Sequence, residues 1–284
     1  MIKVVLVTGA NKGIGFEVSR ELGRAGFTVL LGARDTARGE EAASKLRGEG
    51  LDVRFVAADL NHAAESGAAL AKQIGEEFGH LDVLVNNAGI VDRGDGPASS
   101  VGIETLRRTF ETNFFGTVAF TQPLLPLLRA AESARIVNVS SGLGSLAING
   151  DPSTPFYHAK VLGYNASKAA LNMFTVDLAY DLRETKIKVN SACPGYVATD
   201  INNHSGPSTV EEGAIVIVRL AQLPDCDPTE LISDTCDVEW PPRSGKHIEF
   251  PEVDRGDWFS LDHARKFIRA EQVPFLEALR LLNA

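Results

Sequence analysis

The chain has 284 residues, 44% of them hydrophobic and 23% charged, and a formal net charge of −9. That composition fits an ordinary soluble globular chain able to bury a large core as one domain plus an extension. The acidic balance argues against a nucleic-acid or anionic-membrane partner, because phosphate surfaces need basic ones. No apolar stretch approaches the roughly 20 residues of a membrane span, and a strand starting at Ile2 leaves no room for a signal peptide. Cys193, Cys226 and Cys236 have no metal-type spacing and suggest no disulfide framework, so no metal site is expected and a reducing cytoplasm is the default location.

In chain order, the apolar run Val4–Val7 is followed by T-G-A-N-K-G-I-G, Thr8 to Gly15, and a helical pattern from Phe16 to Ala25. Strand, glycine-rich turn and helix together make a phosphate cradle: glycine lets the backbone turn tightly and approach a pyrophosphate, whose charge faces the helix N-terminus. A second strand, Thr28–Gly32, leads into Ala33, Arg34 and Asp35. Dinucleotide folds choose their cofactor here, an acid bonding the ribose hydroxyls of NAD and an arginine taking the 2′-phosphate of NADP. Arg34, supported by Lys12 in the glycine turn, points to NADPH, while Asp35 beside it pulls toward NAD.

A helix over Thr36–Glu49 and a strand over Val53–Ala57 bring the chain to Asp59 and Leu60, with Asp59 placed to contact an adenine. After a helix at Ala63–Phe78, the strand Val83–Val85 is closed by Asn86-Asn87-Ala88-Gly89, good chemistry for a strand-to-loop turn. The helical pattern Ile103–Leu128 carries Asn113, and Pro123 and Pro126 are expected to break or bend it. The strand Arg135–Val139 ends on Ser140 and Ser141. A hydroxyl at the carboxyl end of a parallel strand faces the ligand crevice, where it can bond a carbonyl and help a developing alkoxide.

Tyr164 and Lys168 head the next helical pattern, which runs through Ala166–Arg183, and the i, i+4 spacing stacks them on one face. A lysine beside a phenol favours the phenolate and makes tyrosine usable as a general acid/base. Tyr157 and Lys160, three apart in a Pro-flanked loop, are a rival pair. The strand Lys188–Ser191 leads to Pro194-Gly195, and Glu211–Leu223 supplies a last helix. This alternation predicts an α/β fold: a doubly wound parallel sheet, Rossmann-like, in three α/β/α layers, with an atypical C-terminal extension.

T-G-A-N-K-G-I-G, D-V-L-V-N-N-A-G, T-N-F-F-G-T, I-V-N-V-S-S, Y-N-A-S-K and A-C-P-G-Y-V-A-T-D occur in the order and approximate spacing of the short-chain dehydrogenase/reductase family. Over residues 2 to about 220 the chain resembles its NADPH-dependent carbonyl reductases. The resemblance implies Tyr164 as proton donor, Ser141 as the group polarising the carbonyl, and Lys168 as the cation that lowers the tyrosine pKa and bonds the nicotinamide ribose. Tyr164 and Lys168 both touch the cofactor on this reading, and Asn113 holds a water that links Lys168 to solvent. Gly9, Gly13 and Gly15 carry the pyrophosphate, Lys12 and Arg34 read the 2′-phosphate, and Thr199 contacts the carboxamide. Asn11, Ile14, Asp59, Leu60, Asn87, Ala88, Gly89, Pro194, Gly195 and Val197 complete the cofactor surface. The implied reaction is hydride transfer between NADPH/NADP+ and a small-molecule ketone or aldehyde, reversible with the alcohol.

Ser141 and Tyr164 are farther apart than is common in the family, so an insertion of about ten residues occupies roughly 149–162. It lies over a helix that is usually a subunit interface, which leaves a homo-oligomer open. The composition changes after Leu223, placing a boundary between a reductase domain, 1–225, and an extension, 226–284. A final strand is expected at Leu231–Ser233 or Asp237–Trp240, and amphipathic helices at Leu261–Phe267 and Val273–Leu282. W-P-P-R-S-G and F-P-E-V-D-R-G-D-W-F resemble the end of a Nudix-type hydrolase, but the catalytic box with its metal-holding glutamates is absent. Two other functions stand beside the reductase: a catalytically impaired NADP(H) sensor or scaffold, and a two-function chain with a nucleotide-hydrolysing tail.

Overall fold

The computed structural model describes residues 2–225 and the backbone of residues 232–234. The two helices and the Nudix-like stretch expected beyond residue 234 lie outside the described residues. The chain opens with β1 (Val4–Val7), α1 (Gly13–Arg24), β2 (Thr28–Ala33), α2 (Thr36–Gly48), β3 (Val53–Ala57), α3 (Ala63–Glu77) and β4 (Val83–Asn86). It continues through α4 (Ile103–Phe110), α5 (Thr117–Thr121), α6 (Leu125–Ala130), β5 (Ala134–Val139), α7 (Leu146–Gly150) and α8 (Leu162–Asp181). The last elements described are β6 (Ile187–Cys193), α9 (Val210–Ala221) and a short β7 (Ile232–Asp234).

The strands form one sheet in the order β3-β2-β1-β4-β5-β6-β7, and every pairing is parallel. Parallel strands are covered on both faces, which is why β1 reads V-V-L-V with no polar alternation. Successive side chains point to opposite faces. Val5 and Val7 pack with Val18, Leu22, Leu46 and Ile217 of α1, α2 and α9, whereas Val4 and Leu6 pack with Leu70, Phe120, Leu128 and Leu178 on the other side. The result is the expected α/β/α sandwich. β1 pairs with both β2 and β4, so the winding reverses there and opens a crevice at the carboxyl ends of the strands.

A row of polar side chains crosses the sheet one level below that crevice. Asn86, Asn138 and Ser191 are register partners on β4, β5 and β6. The Asn86 amide donates to Thr121 Oγ1 and Asn138 Oδ1, both at 2.9 Å, and Asn138 Nδ2 donates to Thr175 Oγ1 at 2.9 Å. Thr175 and Ser191 share a further bond of 2.9 Å. All five side chains are buried and satisfied by one another.

The segment expected to be one helix over 103–128 is broken twice. The break at the prolines is there, a 3₁₀ turn at Gln122–Leu124 followed by α6 with Pro126 in its first turn. The other, a π turn at Glu111–Gly116, has no such marker. It turns Asn113 inward, and at Gly116 the helix comes so close to Leu60 that a Cβ would lie 2.6 Å from the Leu60 carbonyl oxygen.

Candidate active site

The carboxyl ends of the strands border an open cleft of about 2170 Å³, more than twice the size of an ordinary small-molecule pocket. Each residue assigned above to catalysis or cofactor contact lines it, except Asn113, which is fully buried behind the wall. Tyr157, with the Lys160 ammonium 4.5 Å above its ring, is not part of the lining, whereas Tyr164 and Lys168 are.

At one end of the cleft the chain leaves β1 through Gly9 and Gly13, both in the left-handed region with φ of +63° and +57°. A Cβ on Gly9 would sit 2.8 Å from Ala88 Cα, and one on Gly15 would sit 2.8 Å from the Gly9 carbonyl oxygen. Helix α1 then starts with no side-chain cap, so its first N–H groups face the cleft and suit an anion. Asn87 buttresses this turn as well as lining the cleft, donating through its amide to the carbonyls of Thr8 and Gly9 at 2.9 and 3.2 Å. A dinucleotide phosphate fits this cradle by chemistry and by space.

Farther along, Arg34 stands exposed at the end of β2. Asp35 caps α2, accepting from the Arg38 N–H at 2.9 Å, which gives its carboxylate a structural partner. The D-T-A-R pattern is an N-cap signal that sequence reading passes over, and it brings Arg38, another cleft residue, one turn into α2. Lys12 is ion-paired with Asp200 at 2.5 Å, and His204 Nε2 holds the other Asp200 oxygen at 2.8 Å. At Asp59, burial raises the pKa, but the Asn61 N–H, His62 and Arg34 outweigh it and leave the carboxyl below its usual range.

The other end is buried. Ser141 follows β5, and its hydroxyl accepts from the Leu143 N–H at 3.2 Å and lies beside the Tyr164 phenol. Lys168 donates to the Val139 carbonyl at 2.7 Å and holds its ammonium 5.7 Å from the centre of the Tyr164 ring. Burial pushes the Tyr164 phenol up to about 12, against the neighbouring Ser141 hydroxyl, and pushes the Lys168 ammonium down to about 8. That differs from the expected lowering of the phenol. Burial sets the direction of the shift, and the Lys168 ammonium lies over the face of the ring.

Asn113 clasps the loop after β4, accepting from the Ile90 N–H at 2.8 Å and donating to the Ile90 carbonyl at 2.9 Å and Ser167 Oγ at 3.0 Å. Gly89 keeps space open beside it: a Cβ there would lie 3.4 Å from Asn113 Oδ1 and 3.5 Å from Lys168 Nζ. Ser140 Oγ, buried at the cleft wall, has no hydrogen-bond partner among the described residues. Leu143, Phe156, Val161, Tyr196, Ile201 and Pro207 add apolar surface to the cleft lining, which suits a small-molecule substrate. Among the described residues, no helix is long and apolar enough to cross a membrane.

A family model described as short chain dehydrogenase matches residues 3–209. Among curated relatives, short-chain dehydrogenase anuI of Penicillium roqueforti (strain FM164) is 39% identical over 243 residues, 83% of this chain and 94% of its own. Carbonyl reductase (NADPH) 3 of Rattus norvegicus is 38% identical over 265 residues, 80% and 93% of the two chains. Among solved structures, salutaridine reductase from Papaver somniferum superposes with a TM-score of 0.70 at 32% identity, covering 81% of this chain and 99% of that one. Menthone neomenthol reductase from Mentha piperita gives 0.66 at 30% identity, with 82% and 98% covered.

Proposed function

The chain belongs to the short-chain dehydrogenase/reductase family, and from that premise we propose that it is an NADPH-dependent oxidoreductase that reduces a ketone or aldehyde, reversibly with the alcohol. The observation that carries this reading is the meeting of Ser141, Tyr164 and Lys168 at the buried end of a cleft whose other end is a glycine cradle.

NADPH, when bound, supplies the hydride. The residues of the chain do the rest. Tyr164 gives its hydroxyl proton to the carbonyl oxygen, and Ser141, which lies beside that hydroxyl, donates to the same oxygen as charge develops on it. A phenol at about 12 is a poor acid/base partner at neutral pH, so catalysis needs the Lys168 ammonium, whose own pKa of about 8 leaves it largely charged there. Lys168 is tethered to the Val139 carbonyl by a single bond, and Gly89 leaves room beside its ammonium. Asn113, fastened to the Ile90 backbone, fixes the wall of that space.

NADPH is favoured over NADH because Asp35 is engaged as the cap of α2 while Arg34 and Arg38 remain on the cleft. The reductase unit is residues 1–225 together with β7 (Ile232–Asp234), which extends its sheet beside β6, and the rest of the chain is an appended extension. Titration of the full chain with NADPH and NADH, followed by a carbonyl panel read by nicotinamide absorbance, tests the proposal. Tighter NADPH binding and turnover of at least one carbonyl are the expected result. Preference for NADH overturns the cofactor assignment, and cofactor binding without any turnover favours a sensor.

A further inference from the structure

We propose that Asp95, in the loop between β4 and α4, is a positioning residue for the proton donor: its carboxylate caps α8 and sets the orientation of Tyr164. The inference rests on the reading of Tyr164 as that donor.

A helix leaves its first N–H groups without intrahelical partners, and the residue before it commonly supplies a cap. The residue before α8 is Val161, which has no side chain to do so. The first three N–H groups are met instead from a loop far away in sequence. Leu162 N–H donates to the Gly96 carbonyl at 3.0 Å, Gly163 N–H to Asp95 Oδ1 at 2.9 Å, and Tyr164 N–H to Asp95 Oδ2 at 2.8 Å.

Two carboxylate oxygens on two adjacent N–H groups fix the tilt of the first turn as well as its place. One of those groups is the N–H of Tyr164 itself, so the bond lies one Cα away from the side chain whose direction matters. An anionic acceptor at the positive end of a helix makes the strong kind of hydrogen bond. The fit is close on the far side too, since a Cβ on Gly163 would lie 3.0 Å from Asp95 Oδ2 and 3.2 Å from Leu106 Cδ2.

The loop carrying Asp95 is itself pinned. Asn113 grips Ile90 from both sides, and Arg108 holds Asp92 with a two-pronged contact of 2.7 and 3.2 Å. Asp92 also accepts from the Gly94 N–H at 2.9 Å. The same loop begins at Asn87 and Gly89 on the cleft wall. One short stretch of chain therefore touches the cofactor cradle at its start and the proton-donating helix at its end.

The test uses the full chain with a carbonyl substrate found in the panel above, and compares Asp95→Ala, Asp95→Asn, Gly163→Ala and Tyr164→Phe. Misplacement by about 1 Å costs on the order of 100-fold in rate, so Asp95→Ala is expected to lower kcat by roughly 10- to 100-fold. NADPH Kd should stay within about twofold, because the cradle is held by other contacts. Asp95→Asn keeps one acceptor oxygen and should recover part of the loss. Gly163→Ala should reproduce the defect by pushing the carboxylate away, and decides the matter if Asp95→Ala does not fold. The solvent deuterium isotope effect on kcat should rise in both variants as proton transfer becomes slower. Wild-type kcat in folded Asp95→Ala overturns the proposal, and so does an equal loss of kcat and NADPH binding, which would mark a support of the fold alone. Tyr164→Phe separates the two readings: full turnover there would remove the donor assignment itself, whatever Asp95 does.

Discussion

The two ends of the cleft are built differently. At the proposed catalytic end Asn113 and Lys168 are 0% and 4% exposed, and each is bonded to backbone, Asn113 to Ile90 in the loop after β4 and Lys168 to Val139 at the end of β5. At the rim where the cofactor phosphate is proposed to sit, the side chains of Lys12 and Asp200 are 60% and 54% exposed and paired with each other. The buried end is fastened by the fold itself, whereas on the proposed reading a cofactor phosphate at the rim takes the place of one charged partner. Substitutions at the first should therefore act on chemistry and stability, and those at the second on cofactor choice and salt dependence.

The largest effect should come from Tyr164→Phe. General acid/base groups contribute about 10²- to 10⁴-fold, so kcat should fall by that order with NADPH affinity essentially unchanged; parallel loss of both would erase the distinction between the two ends. Next is the buried ammonium. The folded-state pKa of Lys168, about 8, lies below its ordinary 10.5, so the folded chain binds fewer protons between those values. The cost of burying the charge is full below about pH 8 and vanishes as pH rises through 10.5. Relative to Lys168→Met, the wild-type chain should gain about 3 kcal/mol of unfolding free energy across that window, measurable by urea unfolding of both. A flat difference would mean that Lys168 is not buried as a cation.

At the rim, Arg34→Ser should cut the preference for NADPH over NADH roughly tenfold, by loss of a charge-assisted contact to phosphate. The smallest effect belongs to Asp200→Asn, which frees Lys12 from its competitor. NADPH affinity should rise roughly two- to fivefold at low salt, and the gain should fade in high salt, as exposed pairs are screened. An equal gain at every ionic strength would contradict the picture of an exchanging rim.

What could be read from the amino-acid sequence follows the same division by distance along the chain. The glycine turn and the Tyr164–Lys168 pair are legible because their chemistry depends on neighbours within a few residues, and Ser141 because it closes an apolar strand. The parallel sheet and its two covered faces are legible because parallel strands must be apolar throughout. The π turn at Asn113 and the reach of Asp95 to α8 are not, since each is created by partners 23 to 69 residues away. The pKa of Tyr164 escaped for a related reason: spacing puts the lysine on the same helix face, but only packing decides how dry that face is.

The polar row across β4, β5 and β6 has a consequence for how the site comes into being. Docking parallel strands that are distant in sequence is slow, and a slipped pairing is the natural error. Purely apolar strands such as β1 tolerate a shift by two residues, because valine replaces leucine on the same face. A slip at β5 would instead strand the amides of Asn86 and Asn138 and the hydroxyls of Thr175 and Ser191 in a dry interior. Each orphaned group costs about 1–3 kcal/mol, so the row acts as a proofreader of strand alignment during folding. Asn87, Ser141 and Pro194 each follow within three residues of it. Their relative heights are thus checked at the moment the sheet assembles, before there is a cleft for them to line.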